Sequence, residues 1–154
     1  MGKNYWMVVE SLENHQITTQ MGFALMGFGR HQKRRVQRMQ QDDRVLFYVP
    51  DLKKWTATAS ITSEFFTDET ALWNPFSKPD DHKYRVKLKP NIVLDAKFQI
   101  DALILGPRLE YVKRWVPEDW PLAFLDRLHL IPQRDFRLIE GEMKRLLPKK
   151  SRKS

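Results

Sequence analysis

Asp42-Asp43-Arg44-Val45-Leu46-Phe47-Tyr48-Val49-Pro50 sets an acidic turn, a mostly apolar run and a proline stop in direct succession. Asp holds tight turns through contacts with its own backbone, β-branched and aromatic residues suit a pleated surface, and Pro cannot donate to a strand ladder. The stretch therefore reads as a turn that feeds a buried strand over 44–49. Working outward, Tyr5-Trp6-Met7-Val8-Val9 is a short apolar run of the same kind and reads as a central strand. Trp55 to Phe66 is rich in β-branched and aromatic residues and reads as one bent strand. Tyr84 to Lys89 alternates in polarity with period two, as a half-exposed strand does. Residues 11–20 are polar and read as loop, with at most one helical turn.

Helical signals are fewer. Between His31 and Met39, Val36 and Met39 share a face, which predicts a short helix packed on the sheet. Pro132 offers a first helical position, and Phe136, Ile139, Met143 and Leu146 recur at spacings of three and four until Pro148. Gly141 costs that helix about 1 kcal/mol relative to alanine, which packing must offset. Strands dominate the first two thirds and helices the last third. The expectation is one α+β domain over 3–148, followed by a basic, disordered tail at 149–154.

The chain has 154 residues, a net charge of +8 and a pI near 9.8. Lys149, Lys150, Arg152 and Lys153 carry four of those charges, leaving +4 for the rest. A basic balance favours polyanionic partners. The absence of cysteine excludes disulfides, zinc ribbons and thiol catalysis. No apolar run approaches the roughly 18 residues that a membrane helix needs, and the N-terminus lacks a signal-like apolar stretch, so a cytoplasmic protein without a membrane partner is expected. His15, His31, His82 and His129 are scattered, without metal-ligand spacing. There is no glycine-rich phosphate loop and no nucleophile elbow, and the Asp42-Asp43 and Asp80-Asp81 pairs sit in turn-like contexts. No metal, no cofactor and no catalytic residue is expected.

Two features point to a binding function. Arg30, Lys33, Arg34, Arg35 and Arg38 place five cations within nine residues and no acid among them. On a helix, Arg30, Arg34 and Arg38 project opposite Val36 and Met39, with Lys33 and Arg35 at the flanks. The face is either a solvated surface or a phosphate-tracking one. With all five cations on duplex phosphates, log K would fall with log salt at a slope of about −4.5. The second feature is a set of rings and small residues in apparent loops: Phe23, Met26, Gly27, Phe28 and Gly29, and then Trp73, Pro75 and Phe76. They either line a pocket for one planar group or plug the ends of a small barrel.

Asn4-Tyr5-Trp6 leading into Glu10-Ser11-Leu12-Glu13-Asn14 resembles the opening of the EVE domain, a PUA-like family related to YTH domains that includes small UPF0310-type proteins. The resemblance continues through Leu25-Met26-Gly27-Phe28, Arg38-Met39, the 42–49 stretch, Ser60 to Asp68, Tyr84 to Pro90 and Asp135-Phe136-Arg137-Leu138-Ile139. It implies a strongly bent, partly closed β-barrel of about five or six strands with flanking helices. It also implies a pocket for a single, modified nucleobase in DNA or RNA. By resemblance, Ser11 and Asn14 fall where polar groups read the base edge. Met26 falls where the family usually has a Trp cage wall, Gly27 keeps the backbone close, and Trp73 is the second aromatic wall. With Met26 in place of Trp, Phe28 or Phe23 supplies the missing wall, or the pocket accepts a different base. Asp42 stands where the family has the Gly of a Gly-Asp turn. The cations at 30, 33, 34 and 38 would track phosphates beside the pocket mouth.

Two alternatives share the fold. One is a general RNA-binding module acting on transfer or ribosomal RNA. The other is an ASCH-like hydrolase of modified nucleosides, to which Thr18, Thr19 and Glu13 could contribute, although no Lys lies near them in sequence. A protein-docking role for the rings leaves the cationic segment unexplained. A monomer is expected.

Overall fold

Successive residues of a strand face opposite sides of its sheet, and in β1 (Tyr5–Val9) both sides are buried. Trp6 and Val8 enter one core, Met7 and Val9 a second. β3 (Arg44–Val49) divides alike, with Val45 and Phe47 in the first core and Leu46 and Tyr48 in the second. Burial on both faces is why these runs are continuously apolar rather than alternating.

The computed structural model describes residues 3–73, 82–113 and 126–147. Within them, α1 (Leu12–Gln20) and β2 (Leu25–Phe28) follow β1, and a 3-10 turn at Arg30–Gln32 leads into α2 (Lys33–Gln37). β4 (Lys54–Ile61), β5 (Phe66–Thr67) and β6 (Tyr84–Val93) come after β3. β7 (Ile100–Asp101), α3 (Ala102–Leu105), β8 (Leu128–Ile131) and α4 (Gln133–Leu146) complete the described chain. The strands run in the order β2-β6-β4-β3-β1-β8, with β5 added to β6 and β7 to β4. β1 and β3 pair in parallel and the other pairs are antiparallel. The sheet curls strongly into a half-barrel, as the α+β reading expected.

Two bulges shape the curl. Phe47 pairs with Ala57 and Tyr48 with Trp55, so Thr56 is the extra residue of the first bulge. A bulge shifts side-chain parity, which is why Trp55 sits in the second core while Ala57, Ala59 and Ile61 sit in the first. At the second, Thr58 pairs with Ile92 and Ala59 with Pro90. A bulge tolerates the missing proline N–H, and β6 therefore runs past Lys89 to Val93.

Several sequence expectations are corrected. Residues 12–20 form a nine-residue helix rather than a loop, capped by Ser11, whose Oγ accepts the Asn14 N–H at 3.2 Å. Its buried face carries His15 and Thr18, so no apolar stripe announced it. Leu25–Phe28 is a strand paired to β6, not a loop. The bent strand expected over 55–66 ends at Ile61, and Phe66 belongs to the separate β5. Pro132 is the N-cap of α4 and not its first helical residue, and Leu146 is 39 % exposed while Phe136, Ile139 and Met143 are buried. Pro148 and residues 149–154 lie outside the described residues.

Asp43 ties β1 to the turn before β3. Its carboxylate accepts the Asn4 N–H at 3.0 Å, the indole N–H of buried Trp6 at 3.1 Å and the Gln40 N–H at 3.0 Å. Asp42, where the resembling family has Gly, takes φ +76°, the left-handed region that favours glycine. Gly141 in α4 is exposed, and a Cβ there would meet nothing within 4 Å. Gly141→Ala should therefore stabilise the protein by about 1 kcal/mol, raising Tm by roughly 2–4 °C in a thermal melt.

Candidate nucleic-acid interface

The cationic segment is fixed from below. Val36 and Met39 are buried in the first core, while Arg30, Lys33, Arg34 and Arg38 are exposed. α2 covers only 33–37, so Arg30 belongs to the preceding 3-10 turn and Arg38 to the helix C-cap. None of these four pairs with a described acid, and the Lys33 ammonium lies 5.6 Å from the Tyr84 ring centre. Arg35 differs. Its guanidinium holds Asp126 at 2.6 Å and the Leu128 carbonyl at 3.1 Å. Burial of Asp126 opposes its charge, yet hydrogen bonds from Arg35, the Arg127 N–H and Gln32, with the Arg35 charge, hold its carboxyl below the usual range. Arg35 is thus spent on the β8 end of the sheet, a correction to its place among the phosphate contacts.

Trp73 lies on β2. A Cβ on Gly27 would stand 3.0 Å from Trp73 Cζ3, 2.6 Å from the His82 carbonyl oxygen and 3.2 Å from Arg85 Cγ. The indole and Gly27 are in contact rather than separated by a ring-sized hollow, because Gly27 has no side chain to hold the ring away. His82 stacks on Trp73 at 4.8 Å and 20°, and the Arg85 guanidinium sits 5.2 Å from the ring. Arg85 is buried, with Nε donating to the His82 carbonyl at 2.9 Å, a bond from Nη2 to the Thr70 carbonyl, and Asp68 at 3.5 Å. Burial lowers the Arg85 pKa from its ordinary value, and the Asp68 charge opposes this. Gly27→Ala should cost about 1–3 kcal/mol as an overpacking change, with the Trp73 indole N–H resonance displaced in an NMR spectrum.

Phe23, Met26 and Phe28 are buried in the first core and fill the inside of the half-barrel. Phe23 stands edge-on to Phe47 at 5.2 Å and to His15 at 5.5 Å. The Arg127 guanidinium lies 5.5 Å from the Phe28 ring and donates to the Gly27 carbonyl at 3.0 Å. Ser11 is the N-cap of α1, its hydroxyl serving the cap, and Asn14 lies one turn before Thr18. Pro75 and Phe76 lie outside the described residues.

A buried polar chain, unforeseen in the sequence, links these parts. Trp73 Nε1 donates to Thr18 Oγ1 at 3.0 Å, and Thr18 donates to Glu10 Oε2 at 2.7 Å. Glu10 Oε1 lies 3.0 Å from His15 Nδ1, and His15 Nε2 lies 2.9 Å from Thr56 Oγ1. All five residues are buried. Their types give no local pattern, since they come from four separate segments. Thr19 donates to the His15 carbonyl at 2.8 Å, while the Thr18 hydroxyl is engaged by Glu10 and Trp73. Beside α1 opens a cavity of about 490 Å³, lined in part by His15, Phe23, Thr56, Val93 and Leu94. Among the described residues no group of three or more His, Asp or Glu stands close enough to hold a metal ion. No described helix is long and apolar enough to cross a membrane.

The half-barrel with its helices is a YTH-like fold. The YTH domain of Zygosaccharomyces rouxii MRB1 protein, solved in complex with N6-methyladenosine RNA, superposes with a TM-score of 0.68 at 14% identity, covering 96% of this chain and 90% of that one. The Pho92 YTH domain, solved in complex with m6A, gives 0.64 at 13% identity over 92% and 84%. In sequence, a UPF0310 protein of Pyrococcus abyssi is 21% identical over 147 residues, 90% of this chain and 98% of that one. The EVE domain family model matches residues 4–118, and the chain belongs to that family.

Proposed function

We propose that the protein is a non-catalytic nucleic-acid-binding module that holds one modified nucleobase while Arg30, Lys33, Arg34 and Arg38 contact the phosphates beside it. The observation that carries this reading is the exposed segment of four cations without an acid partner among the described residues, anchored by buried Val36 and Met39. Such a segment tracks a backbone and sets affinity without reading sequence. The base-binding part rests on the family and on a stacking surface already in use: Trp73 is fixed by Thr18 and carries the flat His82 ring. A base stacks against this pair, within reach of Asn14 on the helix face that also presents Thr18, with Ser11 and the Met26–Phe28 strand as its border. Each stacked base contributes roughly 1–3 kcal/mol. One added methyl contributes about 0.8 kcal/mol, so preference for a methylated base is graded rather than absolute.

The test is a panel of single-stranded DNA and RNA oligonucleotides, each with one modified base, against the plain sequence at fixed salt. A preference of several-fold for one modification, lost in Trp73→Phe, supports the reader. Burial of Met26 and Phe28 favours a second reading, a general RNA-binding module without a base pocket. Equal affinities for modified and plain RNA would select that one.

A further inference from the structure

We propose that the cavity beside α1 is a binding site for a free, uncharged aromatic heterocycle of nucleobase or nucleoside size, separate from the cationic face. Its volume of about 490 Å³ falls within the roughly 300–1,000 Å³ of small-ligand sites. Charged residues make up 30% of the chain, yet among the described residues no Lys, Arg, Asp or Glu lines this cavity. The one ionisable residue among its described lining is His15, whose ring nitrogens are engaged by Glu10 and Thr56. A charged ligand would lose its hydration there without gaining a counter-charge, so the site selects a neutral one.

The polar groups suit a heterocycle edge. Gln16, Gln20 and Gln99 face the cavity, and their side-chain amides make no hydrogen bond to a described residue. An amide offers paired donor and acceptor groups, the pattern that recognises the edge of a base. The apolar walls are prepared as well. Phe23 meets the His15 ring edge-on at 5.5 Å and has φ +54°, the left-handed region, following Gly22 at φ +70°. A bulky residue held there is strained, and such strain gathers at ligand-binding positions. Val93 and Leu52, 47% and 40% exposed, form an apolar rim open to the ligand.

This site does not rest on the nucleic-acid reading and can be tested without an oligonucleotide. The probes are adenosine, N6-methyladenosine, cytidine and 5-methylcytidine, titrated to millimolar concentration into the 15N-labelled full chain. At least one nucleoside should give saturable shifts at Phe23 and at the side-chain amides of Gln16, Gln20 and Gln99. Val93→Trp, which fills the cavity from its exposed rim, should weaken that binding at least tenfold, and Arg34→Ala should leave it unchanged. The corresponding monophosphates should bind more weakly than the nucleosides. No saturable binding, tighter binding of a monophosphate, or shifts centred on Trp73 that persist in Val93→Trp would each overturn the proposal.

Discussion

Asp43→Ala should lower the unfolding free energy by about 3–5 kcal/mol. The carboxylate is the shared acceptor for the Trp6 indole and for the Asn4 and Gln40 backbone N–H groups. Removing an acceptor leaves each buried donor with a cost of about 1–3 kcal/mol, and bonds to a charged group lie at the upper end. Trp6 has no water to turn to, since it is fully buried in the first core. At roughly 2–4 °C per kcal/mol for a chain of this size, Tm should fall by about 6–20 °C. Asp43→Asn keeps one acceptor oxygen and should lose less. Denaturant unfolding decides the matter: a change below about 1 kcal/mol for the alanine variant would show that Asp43 does not hold β1 to β3.

The second large effect concerns binding. Replacing Arg30, Arg34 and Arg38 together by alanine should flatten the salt dependence of duplex affinity by about 2.7 units of slope, because each phosphate contact contributes about 0.9. With Arg35 held by Asp126, four cations remain for phosphates, which sets the wild-type slope near −3.6 rather than −4.5. The triple variant should fold normally, since exposed side chains without partners contribute within about ±0.5 kcal/mol each. Arg35→Ala should behave in the opposite way, leaving the slope nearly intact while weakening the attachment of Asp126 and β8. Measuring affinity from low to moderate salt separates the two classes. An unchanged slope in the triple variant would remove this segment from the interface.

The contrast between Arg35 and its neighbours shows what a sequence can reveal. The density of cations without acids between residues 30 and 38 is local, so the segment was legible. The partner of Arg35 lies 91 residues away, and no local pattern announces it. β1, β3 and the first part of β6 were legible because burial on one or both faces writes itself as a run or an alternation. α1 was not, because its inward face is His15 and Thr18, held by hydrogen bonds to Glu10 and Thr56 rather than by an apolar stripe. β2 is too short to show a period, and its Gly27 reads as a turn residue although its lack of a side chain makes room for the Trp73 ring. The family resemblance supplied the half-barrel. It could not supply the contact between Trp73 and Gly27, which depends on how residues 66–73 return to β6.

The most direct test of nucleic-acid binding is an amide and indole NMR footprint of the 15N-labelled protein with a short single-stranded oligonucleotide carrying one modified base. Shifts should concentrate at Arg30–Arg38 and at Ser11–Asn14, with the Trp73 indole N–H moving in step with them. A footprint centred on α4, or spectra that do not change at concentrations saturating for a basic domain, would contradict it.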